Sequence, residues 1–477
     1  MKSPREIFES FEATAASRNR PVCLEEEGPA LSCVDLLERI RRTGDRFKAA
    51  GVGPGDRILL KGLSGLPLLE GLLAVWACDA VALPADATLA SAEIERIRED
   101  FLPRFTLGPG SQGTLPLERT RESAGSDPLP PGTSVIKLTS GSTGRARGIA
   151  VGAAHLEADG WRIIRGMGIG PDDVNIAAIP LAHSYGLGNL VMPLVLQGSP
   201  LRFVDAGLAE PLRHALSMKE RCVFPGVPAL FEMLARDSGA AFTPRGLKLC
   251  LSAGAPLRRG TAAAFKWRYG LPVRALYGAS ECGGITFDAS PEGNAAELED
   301  GCVGTALPGV ELRLEGEEER VAVRSAAVAH GYLQQAGSTG DGEFAQGWFR
   351  TGDTGRLDSG GRLTLAGRIG SLVNVAGRKV NPREVEQVLM TLPGVGDAVV
   401  VGMPDAARGE VLVACLVVRS EVTREGVMAH LRRDLAGYKL PKRILFLGEI
   451  PRNQRGKIDR GEILRIVESA DRPDLSR

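Results

Sequence analysis

Residues 137–151 read KLTSGSTGRARGIAV, an apolar, strand-like run on each side of a core of small hydroxyl residues and glycines. Consecutive backbone N–H groups in such a turn converge on an anion, and Thr139, Ser140, Ser142 and Thr143 add four hydroxyl donors. Gly141 and Gly144 let the backbone take positive φ and approach a phosphate closely, while Arg145 and Arg147 supply counter-charge. No Gly-Lys-Ser/Thr follows the second glycine at the offset of a Walker loop, so kinase-like phosphoryl transfer is disfavoured. Taken alone, the stretch is equally well a polar loop joining two strands.

Working outward, segments such as CVDLLERIRRTGDRFKAAG carry helical periodicity and alternate, from about residue 30 to 240, with short apolar runs such as DRILLKG, VNIAAIP and LRFVDAG. That alternation predicts α/β layers with largely parallel strands. After about residue 300 the pattern turns β-rich, with VELRLEG, RVAVRSAAVA and a hairpin turn at Asp358-Ser359-Gly360-Gly361. From about 370, PREVEQVLMTLPGV, DAVVVGMPD, EVLVACLVVRS and TREGVMAHLRRDLAG read as helix, strand, strand, helix, a small α+β domain. The expected boundary lies near residues 367–373, giving an N-terminal domain over 1–368 and a C-terminal domain over 369–477.

The 477 residues carry 58 basic and 58 acidic side chains, so no global charge points to nucleic acid or an anionic membrane, and a charged ligand must be held locally. The eight cysteines show no CxxC or metal-ligand spacing, and MKSPREIFESF has charges where a signal peptide would be apolar. A reducing, cytoplasmic setting is expected. GLPLLEGLLAVWACDAVALP, broken by Glu70 and Asp79, reads as a core helix followed by a strand and not as a membrane span.

The opening loop is one of seven motifs in order. LTSGSTGRARG, PLAHSYGLGNL, LSAGAPL, YGASE, GWFRTGD, GRIGSLVNVAGRKVNPREVE and PRNQRGKIDR follow one another along the chain. Their order and spacing resemble the adenylate-forming superfamily of acyl-CoA synthetases, peptide-synthetase adenylation domains and luciferase. The resemblance implies a large multi-layered α/β N-terminal domain with a small β-rich subdomain, and a small mobile α+β C-terminal domain carrying the catalytic lysine. It implies a two-step reaction as well: a carboxylic acid and Mg-ATP give acyl-adenylate and pyrophosphate, and a thiol then takes the acyl group.

Carried over residue by residue, the resemblance implies that Thr139, Ser140, Gly141, Ser142, Thr143, Gly144 and Arg147 fold over the phosphates. Ala146-Arg147 stands where Pro-Lys is usual, and a planar guanidinium suits phosphate well. Gly254, Ala255 and Pro256 would wall the adenine slot, with Tyr277 as stacking partner and Gly278 and Ser280 beside it. Ala275 stands where many members carry an amide. Glu281 corresponds to the carboxylate that helps hold Mg2+, Asp353 to the ribose ligand, and Arg368 to the arginine reaching ribose and phosphate. Lys457 is the expected catalytic ammonium. Gly370 is the expected hinge, with Ala376 and Gly377 beside the thiol channel.

For the acid, His183 is the expected gate and carboxylate contact. Ser184 stands where amino-acid-activating members place an aspartate, which disfavours an amino-acid substrate. Val227, Pro228, Cys282 and Gly283 are the other pocket candidates, apolar or small, and fit an aliphatic or aryl tail. The reading is therefore an acid:CoA ligase for a fatty or aromatic acid with ATP, Mg2+ and CoA. The alternatives are transfer to a carrier-protein phosphopantetheine and a catalytically lapsed nucleotide- or acyl-binding regulatory protein. A lysine acetyltransferase acting on Lys457 is a further expected partner.

Overall fold

A computed structural model describes residues 2–470 except 25–29, 90, 112–113, 122–127, 141–145, 240–241, 291–300, 334–342, 370–372, 376–377, 406–408, 436 and 454–457. The chain forms two compact units, one of Met1–Arg313, Ala322–Thr351 and Leu357–Thr364, the other of Leu314–Val321, Gly352–Arg356 and Leu365–Arg477.

Two parallel-rich sheets organise the first unit. In one, Val81–Pro84 pairs in parallel with Arg57–Leu60 and with Thr133–Ser140. Both faces of this sheet are covered, so its strands read as unbroken apolar runs. Leu59, Val81, Leu83 and Ile136 pack under the helix Ser91–Phe101 through Ile94, Ile97 and Phe101. Ile58, Leu60, Ala82 and Val135 face the opposite side, toward the helix Gly65–Ala77.

That helix is the one read from GLPLLEGLLAVWA, and it stops where Asp79 takes φ +57°, a left-handed conformation few non-glycine residues adopt. Glu70 does not face solvent as its charge suggests. It is 4% exposed, paired with Arg39 and accepting from Thr43 Oγ1 at 2.6 Å. Both partners sit on Cys33–Ala49, a helix opened by a capping box in which Ser32 and Asp35 satisfy each other's backbone N–H groups.

In the other sheet, Val273–Ala279, Leu247–Ser252, Cys222–Gly226, Val174–Ala177, Leu201–Phe203 and Pro21–Leu24 lie side by side, all parallel. Gly283–Phe287 then returns antiparallel against Val273–Ala279, and Cys302–Ala306 against Gly283–Phe287. The α/β architecture with large mixed sheets and a smaller C-terminal domain is the one expected from the alternation of patterns.

The second unit is built on Val395–Asp405 and Gly409–Val418, antiparallel over their whole length, with Arg443–Phe446 added in parallel. Val400, Leu412, Ala414 and Leu416 face the helices Pro382–Met390 and Arg424–Asp434, while Val399, Val401, Val413 and Cys415 face Arg460–Ser469. Burial on both faces explains why DAVVVGM lacks polar alternation. Among the described residues no helix is long and apolar enough to cross a membrane.

Trp76 is fully buried and donates its indole N–H to the Ser134 carbonyl at 3.0 Å, tying the long helix to the strand that leads into the glycine-rich loop. Trp76→Phe keeps most of the packing but removes that donor, and should lower unfolding free energy by about 1–3 kcal/mol. Trp76→Ala, which also opens a cavity, should lose about 3–5 kcal/mol. Shifts of the urea midpoint check both, and an unchanged midpoint for Trp76→Phe contradicts the assigned hydrogen bond.

Candidate active site

In open parallel sheets ligands bind beyond the carboxyl ends of the strands, where loops turn away and backbone groups are unpaired. Four neighbouring strands bring sequence-predicted residues to that edge. His183 and Ser184 follow Val174–Ala177; Val227 and Pro228 follow Cys222–Gly226; Gly254, Ala255 and Pro256 follow Leu247–Ser252; Ser280 and Glu281 follow Val273–Ala279. The register Gly226↔Ser252 sets two of these ends level, while Val273–Ala279 pairs Ala275 with Ser252 and runs on to Ala279. Gly254 has φ +82°, and a Cβ there would meet Val227 Cγ1 at 3.9 Å, so the two segments are direct neighbours.

The segment after Val174–Ala177 has its own anchor. His183 caps a short helical turn, Ser184–Gly186, which passes into a π-helical turn, Leu187–Val191, marked by Met192 N–H donating to the Leu187 carbonyl. Such wide turns recur at functional sites. Tyr185, in the same turn, donates to the Leu251 carbonyl at 3.2 Å, and burial pushes its hydroxyl pKa above the ordinary value. His183 itself meets the other sheet: its Nε2 lies 2.7 Å from Asp86 Oδ2, just past the carboxyl end of Val81–Pro84.

Asp86 is held on both oxygens. Oδ1 accepts from the Thr88 amide at 2.9 Å and from its hydroxyl at 2.6 Å. The His183 bond first, then Thr88, hold this carboxyl well below the usual carboxylate range, against the opposing effect of burial.

The opening stretch is a hairpin. Thr133–Ser140 pairs antiparallel with Ala146–Gly152, with Thr139 opposite Arg147 and Ser140 opposite Ala146. Gly141, Ser142, Thr143 and Gly144 lie outside the described residues, and of Ser140 only the backbone is described. Arg147 lays its guanidinium 3.6 Å from the centroid of the Tyr332 ring and reaches Glu343 Oε2 at 3.4 Å. Tyr332 in turn donates to Glu281 Oε1 at 2.7 Å. One aromatic side chain therefore joins two residues that the sequence assigned to phosphate and magnesium. Burial, and then the charge of Glu281, push the Tyr332 hydroxyl pKa far above its ordinary value and keep it a donor.

Tyr277 is buried and Gly278 exposed within the strand; Cys282 is completely buried, its thiol pKa pushed up chiefly by burial. Gly283 has φ +69°. In the second unit, Arg368 Nε lies 3.0 Å from Asp353 Oδ1, so these two predicted residues are brought together there. Lys457, Gly370, Ala376 and Gly377 lie outside the described residues.

Sequence reasoning did not single out Asp86, Tyr332 or Lys137. Lys137 carried a visible signal: it is the one charged residue in the run Val135-Ile136-Lys137-Leu138, and it is 5% exposed. Asp86 and Tyr332 look like ordinary loop and strand residues, and only their long-range partners mark them.

A family model described as AMP-binding enzyme matches residues 11–333, and one for the AMP-binding enzyme C-terminal domain matches 384–457. The sulfoacetate–CoA ligase of Cupriavidus necator is 28% identical, over 96% of this chain and 98% of its own. A feruloyl-CoA synthase of Amycolatopsis is 28% identical over 92% and 94%, and a 2-succinylbenzoate–CoA ligase of Bacillus cereus is 26% identical over 93% and 95%. Among solved structures, ATP-bound MatB from Rhodopseudomonas palustris superposes with a TM-score of 0.86 at 24% identity, covering 98% of this chain and 100% of that one. The o-succinylbenzoate CoA synthetase of Bacillus subtilis, solved with its acyl-adenylate intermediate, gives 0.82 at 23% identity over 96% and 97%.

The chain belongs to the AMP-binding enzyme family, within the adenylate-forming superfamily. It is an acyl-CoA synthetase-like, AMP-forming ligase, of the class that uses ATP, Mg2+ and CoA.

Because the folded pKa of Asp86 is depressed, its contribution to stability is present above the ordinary carboxylate pKa of about 3.9 and is lost as pH falls below it. Asp86→Asn should therefore be less stable than wild type at pH 6 by about 1–3 kcal/mol. The gap should narrow below about pH 4. Chemical unfolding between pH 3 and 7 measures it, and a gap independent of pH contradicts the dyad.

Proposed function

We propose that this ligase adenylates a carboxylic acid with a fatty or aromatic tail and passes the acyl group to CoA. The observation that carries the reading is the convergence, in the first unit, of residues chosen from separate sequence motifs. His183, Val227, Gly254 and Glu281 lie past the ends of adjacent parallel strands of one sheet, and Glu281 is linked through Tyr332 to Arg147 on the glycine-rich hairpin of the other.

Two anions must meet in the first step, because a carboxylate oxygen attacks the α-phosphorus while the bond to pyrophosphate breaks. In the second step a CoA thiolate attacks the acyl carbon and AMP leaves. Cations and aimed donors lower both barriers most when already in place. Thr139 and the hydroxyls and amides of the loop it opens bind phosphate oxygens, with Arg147 as the fork that neutralises them. Lys457, carried over from its motif, supplies the ammonium that bridges carboxylate and α-phosphate. Tyr277 and the Gly254–Pro256 segment take the adenine, and Asp353 with Arg368 the ribose.

Glu281 fits magnesium. It is a hard carboxylate with one oxygen accepting from Tyr332, and among the described residues no group of three or more His, Cys, Asp or Glu could hold a metal by itself. A magnesium ion held by Glu281 would supply charge neutralisation for the leaving pyrophosphate.

Asp86 fixes His183 through Nε2, which leaves Nδ1 as the ring nitrogen to meet the carboxylate of the acid. Support for the acid class comes from the apolar Val227 and Pro228, from Ser184 in place of an amine-binding carboxylate, and from relatives named for feruloyl and 2-succinylbenzoate chemistry. The third relative, named for sulfoacetate, puts a small anionic acid in the same comparison.

Purified protein is incubated with Mg-ATP and fatty acids, aryl acids, ferulate, 2-succinylbenzoate or sulfoacetate, offering CoA and a holo carrier protein separately. AMP and one dominant fatty or aryl acyl-CoA are expected by mass spectrometry, and Lys457→Ala should slow AMP formation on the order of 10^2-fold or more. Thioester on the carrier alone moves the acceptor to a phosphopantetheine protein. ADP as product, or no turnover with any acid, contradicts the ligase reading.

A further inference from the structure

Three ionisable side chains are buried together beneath the segment that carries Glu281. Lys137, Asp159 and Arg162 are 5%, 4% and 5% exposed. Lys137 stands on the strand Thr133–Ser140, two residues before Thr139; the other two stand on the helix Ala153–Gly166. Charged groups are almost never this buried unless paired.

All three reach backbone groups of one short stretch. Lys137 Nζ donates to the Ser280 carbonyl at 3.4 Å, Arg162 Nη1 donates to the Gly284 carbonyl at 3.0 Å, and the Gly284 amide donates to Asp159 Oδ1 at 2.8 Å. The residues between, Glu281, Cys282 and Gly283, are thus clamped at both ends. The Asp159 carboxylate also occupies the space next to two glycines. A Cβ on Gly283 would fall 2.1 Å from Asp159 Oδ1, and one on Gly188 would fall 2.8 Å from Oδ2. Glycine at 283 is required twice, by its φ of +69° and by that carboxylate.

We infer that Lys137 and Asp159, with Arg162, are positioning residues that set the backbone of residues 280–284 and so aim the Glu281 carboxylate at the magnesium-bound phosphates of ATP. The inference rests on the reading of Glu281 as the magnesium-side carboxylate. A purely structural role is the competing account. Buried ionic clusters add little stability over apolar replacements of similar volume, whereas charged donors fix backbone direction in a way that apolar packing does not.

The electrostatics agree with the geometry. Burial disfavours the charged form of Lys137 and lowers its pKa, while Asp159 chiefly, then Cys282 and Glu281, oppose that shift. For Asp159 burial raises the pKa, while Lys137, the Gly284 amide and Arg162 oppose it. The charge of each partner opposes the effect of burial on the other, and Lys137 links the strand of the glycine-rich loop to the strand end bearing Glu281.

The test uses the full chain as Lys137→Met, Asp159→Asn and the double variant, and measures melting temperature, Mg-ATP affinity by calorimetry and the Mg2+ dependence of AMP formation. Lys137→Met leaves the Asp159 carboxylate opposed by Arg162 and should keep most of the melting temperature, whereas Asp159→Asn removes the carboxylate that both Lys137 and Arg162 face and should lose the most, with the double variant in between. Lys137→Met is expected to bind Mg-ATP at least tenfold more weakly than wild type and to need more Mg2+ for half-maximal rate, despite its retained stability. Wild-type Mg-ATP affinity and Mg2+ dependence in Lys137→Met overturn the inference and leave the ligase reading intact. A wild type that neither binds Mg-ATP nor forms AMP sinks the ligase reading and this inference with it, and the unmutated protein alone reveals that case.

Discussion

Two separately wound sheets serve one small ligand only if their carboxyl ends are held against each other, and in the first unit polar contacts across the sheets do this. Asp86 meets His183 at 2.7 Å, Lys137 meets the Ser280 carbonyl at 3.4 Å, and Tyr332, on a strand paired to the glycine-rich hairpin, meets Glu281 at 2.7 Å. Apolar packing alone tolerates sliding and substitution so long as volume is conserved. Hydrogen bonds between charged or buried groups do not, because a small displacement leaves a desolvated donor or acceptor unmade. The site's geometry follows from that intolerance.

The same constraint explains where small residues are needed. Gly188 and Gly283 come from motifs almost a hundred residues apart, yet both flank the Asp159 carboxylate and neither has room for a side chain. The π turn at Leu187–Val191 is a local departure of the same kind, placed one short helical turn after the histidine that reaches across to Asp86. Regular backbone gives way where a side chain must be aimed, and burial of surrounding apolar residues such as Leu187, Leu190 and Val191 stabilises the departure.

Much of this was legible because local pattern and chemistry coincide. The hairpin around Thr139 and Arg147 follows from an apolar run on each side of a glycine-rich core, and both faces of DAVVVGM are apolar because both are covered. The segments bearing His183, Val227, Gly254 and Glu281 each follow a short apolar strand, which is where a parallel sheet exposes its binding edge. What was not legible is pairing at long range. Asp86 lies 97 residues before His183, and Tyr332 lies 51 residues after Glu281; a single sequence shows neither distance. Glu70 was read as a break in an apolar helix when its charge is satisfied inside the core by Arg39 and Thr43, a partnership that periodicity does not reveal.

In the proposed first step a carboxylate oxygen of the acid becomes bonded to the α-phosphorus of ATP. Supplying a substrate acid labelled with 18O in its carboxylate, with Mg-ATP and CoA, tests this directly. One labelled oxygen is expected in the phosphate of AMP for each thioester formed, because the acyl carbon–oxygen bond breaks in the second step. Label in inorganic phosphate, or AMP without label, contradicts it.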